Sequence, residues 1–106
     1  MNTDTLPLSS TAKSIPFLIR ASQTGNSKAQ VLLGYIYENG LGIAKNYETA
    51  FYWYNKAALQ RNPKAQFTIG QFYENGYGRP INNKQAIIWY QKAAEAGNAE
   101  ARRILL

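Results

Sequence analysis

Apolar residues recur along this chain at the three- and four-residue intervals of a helix face. Ala29, Leu33, Ile36 and Tyr37 form one such stripe, and Ala65, Ile69, Phe72 and Tyr73 form the same stripe further on. A second kind of stripe follows each of them: Ala50, Trp53, Tyr54, Ala57 and Ala58, then Ala86, Trp89, Tyr90, Ala93 and Ala94. Small residues alternate there with very large ones, so two helices can approach closely while a ring fills the gap beside them. Between the stripes stand Asn39-Gly40-Leu41-Gly42 and Asn75-Gly76-Tyr77-Gly78, where glycine supplies the left-handed conformation that ends a helix. Asn46 and Asn82 precede the second stripes and are suited to cap them, with Gln85 extending the latter toward a capping box. The spacing predicts helices over 14–23, 27–38, 47–60, 63–74, 83–96 and 99–106, and a disordered or loosely docked N-terminal tail over 1–13.

The two double stripes are copies of one unit. Displacing the chain by 36 residues superposes 29–64 on 65–100 with sixteen identities, among them Gly34/Gly70, Glu38/Glu74, Trp53/Trp89 and Asn62/Asn98. In the same register Phe17 falls on Trp53 and Ala21 on Ala57, so 14–28 is a degenerate half repeat. Residues 29–64 and 65–100 are then repeats 1 and 2, and 101–106 is a truncated third. Short connections near 61–64 and 97–100 let the second helix of one unit lie on the first helix of the next. The expected architecture is all-α, a right-handed α–α solenoid of stacked helix-loop-helix repeats in a single domain. Gly34 and Gly70 are costly inside helices, by about 1 kcal/mol against alanine. Close backbone contact with the paired helix is the expected compensation.

The frame Ala29-x3-Leu33-Gly34-x2-Tyr37-x2-Gly40-x-Gly42, followed by Ala50-x2-Trp53-Tyr54-x-Lys56-Ala57-Ala58 and repeated from Ala65 to Ala94, resembles the Sel-one-like repeats. These are relatives of the tetratricopeptide repeats with a longer loop between the two helices. The resemblance implies an adaptor or scaffold that binds protein partners or peptides, in bacterial signalling, envelope or host-contact settings or in eukaryotic protein quality control. Some secreted members carry a cysteine pair in every repeat; this sequence has none. The matching glycines, alanines and aromatics are the family's packing residues, and none is a site to transfer.

Composition narrows the chemistry. The chain has 106 residues, no cysteine, no histidine, and one aspartate, Asp4. The usual catalytic triads and metal ligand sets cannot be assembled from that inventory, so neither an enzyme, a cofactor nor a metal is expected. No secretory signal or membrane-spanning segment is read, which leaves a cytoplasmic location as the default. The net charge of +6 favours an acidic partner. It also raises an alternative reading, a nucleic-acid or anionic-surface binder. That alternative is disfavoured because the basic residues are dispersed, with no run longer than Arg102-Arg103. Arg20, Lys56 and Lys92 form a cationic row, one per unit, on the second helices.

The first helices carry a further stripe, whose two central positions differ between the units. Lys28, Val31, Tyr35 and Glu38 recur one unit on as Lys64, Phe67, Gln71 and Glu74. In tetratricopeptide-like solenoids this face lines the concave surface. The expected groove has a basic edge at Lys28 and Lys64, an apolar centre at Val31, Tyr35 and Phe67, and an acidic edge at Glu38 and Glu74. The competing reading makes Val31 and Phe67 part of the core. Three functions remain: a peptide-binding adaptor, the anionic-surface binder, and a structural segment of a longer array, with self-association through the C-terminal end as a further option.

Overall fold

The computed structural model describes residues 6–106, with side chains from Lys13 onward. Among the described residues six helices follow one another: α1 (Leu6–Gln23), α2 (Ser27–Asn39), α3 (Tyr47–Leu59), α4 (Pro63–Asn75), α5 (Asn83–Glu95) and α6 (Ala99–Ile104). The described residues contain no strand. Each helix packs on its neighbours in the chain, which produces an elongated array of 49 × 25 × 23 Å. The fold is the expected α–α solenoid.

α1 begins at Leu6, well before the start expected at residue 14. Pro7 falls in its first turn, where the missing amide has no helical partner to lose. The part of the expected tail over 1–5 lies outside the described residues. Pro16 lies inside the same helix on an exposed face.

Asparagine starts every helix from α2 to α6. The side chains of Asn26, Asn46, Asn62, Asn82 and Asn98 accept from the amides of Ala29, Thr49, Ala65, Gln85 and Ala101 at 2.8–3.1 Å. Each satisfies one of the orphan donors that a helix N-terminus exposes. Gly40 and Gly76, at φ 67° and 72°, terminate α2 and α4 and donate back to Ile36 and Phe72. The long loop closes when Asn46 N donates to Tyr37 O, and Asn82 N to Tyr73 O, both at 2.9 Å.

The core runs along the array as two clusters. One joins Ala50, Tyr54, Ala57, Ala58, Ala65, Ile69, Phe72 and Trp89; the other joins Phe67, Ala86, Tyr90, Ala93 and Ala101. Gly34 and Gly70 lie beneath the rings of Tyr54 and Tyr90. The space they leave is filled mainly by a side chain rather than by the opposing backbone.

A polar staple links successive units through the short connections. Gln30 Nε2 donates to Ser22 O at 2.9 Å, Gln66 Nε2 to Ala58 O at 3.3 Å, and Arg102 Nε to Ala94 O at 3.2 Å. These donors and acceptors are each separated by the 36-residue period. Each contact adds a second donor to a carbonyl in the last turn of the preceding helix, where the backbone of the turn already supplies one.

Candidate functional site

α2 and α4 occupy the same position in successive hairpins, and their outward stripes hold the residues singled out from the sequence. Lys28 and Lys64 are exposed in the first turns. Tyr35 is half-exposed, at 50% of its surface, and its carbonyl accepts from Asn39 Nδ2 at 3.0 Å. Gln71, its equivalent on α4, is also exposed. Val31 is half-buried and packs against the first core cluster.

Phe67 departs from the expected apolar centre. It is 7% exposed, its ring centroid lies 5.4 Å from that of Tyr90, and it belongs to the second core cluster. Val31 and Phe67 occupy equivalent positions, but Phe67 is the larger side chain and is enclosed with α5 and α6 residues. Among the three apolar positions, Tyr35 alone presents a large exposed surface.

Glu38 and Glu74 have a partner inside their own hairpins. Tyr54 Oη donates to Glu38 Oε1 at 2.8 Å, and Tyr90 Oη donates to Glu74 Oε1. Burial, and then the hydrogen bond to the carboxylate and its charge, push both tyrosine pKa values well above their ordinary range. The phenols are therefore fixed donors. Each pins the end of the first helix to the second, so the acidic edge has a structural duty before any partner arrives.

The cationic row on the second helices is solvent-facing but not idle. Lys56 Nζ lies 5.2 Å from the Tyr52 ring centroid, and Lys92 Nζ lies 4.4 Å from that of Trp89. Trp53 and Trp89 are each 8% exposed, as core residues should be. No group of three or more potential metal-ligating side chains occurs among the described residues, and no helix there is long and apolar enough to cross a membrane.

The Sel1 repeat family model matches residues 27–62 and 63–98, with the same 36-residue period as the internal repeat. The chain belongs to the Sel1 repeat family. Its fold is similar to that of a Sel1 repeat protein from Oxalobacter formigenes, with a TM-score of 0.84 and 38% identity over 87% of this chain and 69% of the other. Cysteine rich protein B of Helicobacter pylori gives a TM-score of 0.83 at 28% identity, again over 87% and 69% of the two chains. A protective antigen of uropathogenic Escherichia coli strains gives 0.75 at 44% identity, over 79% of this chain and 18% of that one. A chitin synthase regulator of Saccharomyces cerevisiae is 52% identical over 40 residues, which span 38% of this chain and only 6% of the regulator. Sel1 repeat proteins are generally protein–protein interaction modules on a non-enzymatic fold. This Sel1 chain builds that fold without cysteine, through the alanine and aromatic stripes.

The staple glutamines were not singled out from sequence, although Gln30/Gln66 is one of the sixteen identities. Glutamine is ordinarily a surface residue, so its identity in both units was the available signal.

Proposed function

We propose that this Sel1 repeat chain is an adaptor that receives an acidic peptide or helix across the outward face of α2 and α4. The observation that supports this most directly is Tyr35, a large aromatic half-exposed on a face whose two flanking cations, Lys28 and Lys64, are also exposed. Tyr35 is the anchor in this reading, because an aromatic ring gives much contact area at low ordering cost. Lys28 and Lys64 steer and orient an acidic partner, and Gln71 offers amide hydrogen bonds beside them. Val31 and Phe67 form the floor beneath the partner. Glu38 and Glu74 form the far rim, each with one oxygen engaged by a tyrosine. Tyr35/Gln71 and Val31/Phe67 differ between the units, and the first pair is exposed where packing does not dictate identity, which is where a solenoid can acquire specificity.

The test begins with partners captured from the native source and identified by mass spectrometry, and continues with the purified pair. Tyr35→Ala combined with Lys64→Glu is expected to weaken binding by about tenfold or more, with circular dichroism and thermal melting unchanged. Affinity within about twofold of wild type would move the contact elsewhere. Should the captured ligand be nucleic acid, with affinity falling steeply as salt rises, the anionic-surface reading would replace this one.

A further inference from the structure

We infer that the groove between the C-terminal ends of α3 and α5 is a second binding site, built to take an acidic peptide segment through Arg61, Gln66, Trp89 and Lys92. This groove has a volume of about 460 Å³ and is lined in part by Arg61, Gln66, Trp89, Lys92, Glu95 and Ala96. It is within the size range of small-ligand sites. It is separate from the α2/α4 stripe, and it exists because repeat 2 departs from repeat 1 at one place and repeat 1 departs from both its neighbours at another.

The first departure leaves a buried acceptor without a partner. In the preceding unit Gln30 Oε1 accepts from Gln60 Nε2 at 2.9 Å. One period on, Gln66 stands in place of Gln30 and Ala96 in place of Gln60. Gln66 is only 5% exposed, its Nε2 is committed to Ala58 O, and its Oε1 is buried with no hydrogen-bond partner. Such a group is rare enough to need a reason, because losing water without gaining a donor is unfavourable. Both Gln66 and the Ala96 that fails to supply the donor line the groove. A ligand group that donates an N–H or O–H to Gln66 Oε1 supplies what Ala96 cannot.

The second departure places a cation at a conformationally costly position. The turn after the second helix uses a left-handed residue in all three connections: Gly25 at φ 98°, Arg61 at φ 66° and Gly97 at φ 103°. The same backbone bond closes each turn, from Gly25, Arg61 and Gly97 to Ser22, Ala58 and Ala94. Glycine is the residue this conformation favours, and a bulky side chain pays for adopting it. Among the described residues Arg61 is the only non-glycine with positive φ, and it lines the groove. Strain retained at one member of a repeated turn points to a use for that side chain.

The two departures describe one ligand. Arg61 and Lys92 outnumber Glu95 and attract a carboxylate, the Trp89 ring in the groove wall holds Lys92 over its face, and Gln66 lacks a donor. A peptide with acidic side chains brings the carboxylate and the backbone N–H together. A phosphodiester backbone brings acceptors alone and leaves Gln66 Oε1 unsatisfied.

The test uses the full chain and a fluorescein-labelled, capped hexaglutamate peptide, with hexalysine and a thymidine oligonucleotide as controls. Anisotropy should report saturable binding of hexaglutamate only, and the Trp89 indole N–H resonance should shift. Two variants restore the residues of the other units and are expected to fold at least as well as wild type. Arg61→Gly removes the cation and the strain; Ala96→Gln supplies the missing donor and fills the groove. Each should weaken hexaglutamate by about tenfold while the melting temperature holds or rises. In a Tyr35→Ala, Lys64→Glu background, which disables the α2/α4 face, each restoring variant should weaken hexaglutamate by the same factor as in wild type, which separates this site from that face. The inference fails if wild type does not bind hexaglutamate saturably, if both restoring variants bind within about twofold of wild type, or if the oligonucleotide binds more tightly than the peptide.

Discussion

Gly70 lies so close under Tyr90 that a Cβ added to it would stand 2.6 Å from the ring's Cε1 and 3.2 Å from Ala86 O. At Gly34 the matching distance, to Tyr54 Cδ1, is 2.9 Å. Alanine would gain about 1 kcal/mol of helix propensity at either site. Overpacking against a buried ring costs about 1–3 kcal/mol. Gly70→Ala is therefore expected to lower stability by up to about 2 kcal/mol in urea unfolding, and Gly34→Ala by less, because its nearest approach to the ring is longer, 2.9 Å against 2.6 Å. A stabilised Gly70→Ala variant would show that the ring can step aside.

These glycines also mark how far the sequence could be read. Their periodicity made a close approach legible, because the same costly residue recurred in the same helical stripe. What approached them was not legible, since Tyr54 and Tyr90 are on the stripe either way and only packing decides where a ring points. Phe67 illustrates the limit at the candidate site. Helical spacing puts Val31 and Phe67 at the border of core and surface, and burial among α5 and α6 residues settles Phe67 as core. The start of α1 escaped because its first stretch lies outside the strict repeat, and Arg61 because its significance depends on a backbone angle that composition does not carry.

Asparagine caps all five helices after α1, so its loss should be felt in each. Asn62→Ala removes the acceptor of Ala65 N at the junction between units. A cost of about 1 kcal/mol is expected. Asn62→Asp should be neutral or stabilising, because a carboxylate accepts the same bond and suits the positive end of the helix dipole. Equal losses in the two variants, measured by chemical denaturation, would rule out capping as the contribution of the side chain.

Trp53 and Trp89 are the largest members of the repeated stripe and are almost wholly enclosed. Truncation leaves a cavity that the surrounding alanines cannot close. Trp53→Ala should cost about 3–5 kcal/mol. Trp89→Ala should cost a comparable amount and also abolish hexaglutamate binding, since the ring forms a wall of the α3/α5 groove. A loss below about 1 kcal/mol at either position would identify an exposed ring and restore a stacking role for it.

The paired phenols predict an alkaline limit to stability. Tyr54 and Tyr90 donate to Glu38 and Glu74, and burial followed by those bonds holds their folded pKa values above the ordinary tyrosine value of about 10. In the unfolded chain the same phenols ionise near that ordinary value. Below about pH 10 both states are protonated and the contribution is fully present. Above it the unfolded state releases protons that the folded state retains, so stability falls as pH rises toward the folded pKa. Tyr54→Phe loses a hydrogen bond to a charged acceptor and should be less stable than wild type at neutral pH by about 1 kcal/mol. Phenylalanine cannot ionise, so that deficit should narrow above about pH 10. Thermal melts across the alkaline range, paired with tyrosinate absorbance, measure both effects. A deficit that stays constant with pH would mean that Tyr54 titrates alike in the two states and that its bond to Glu38 does not hold in solution.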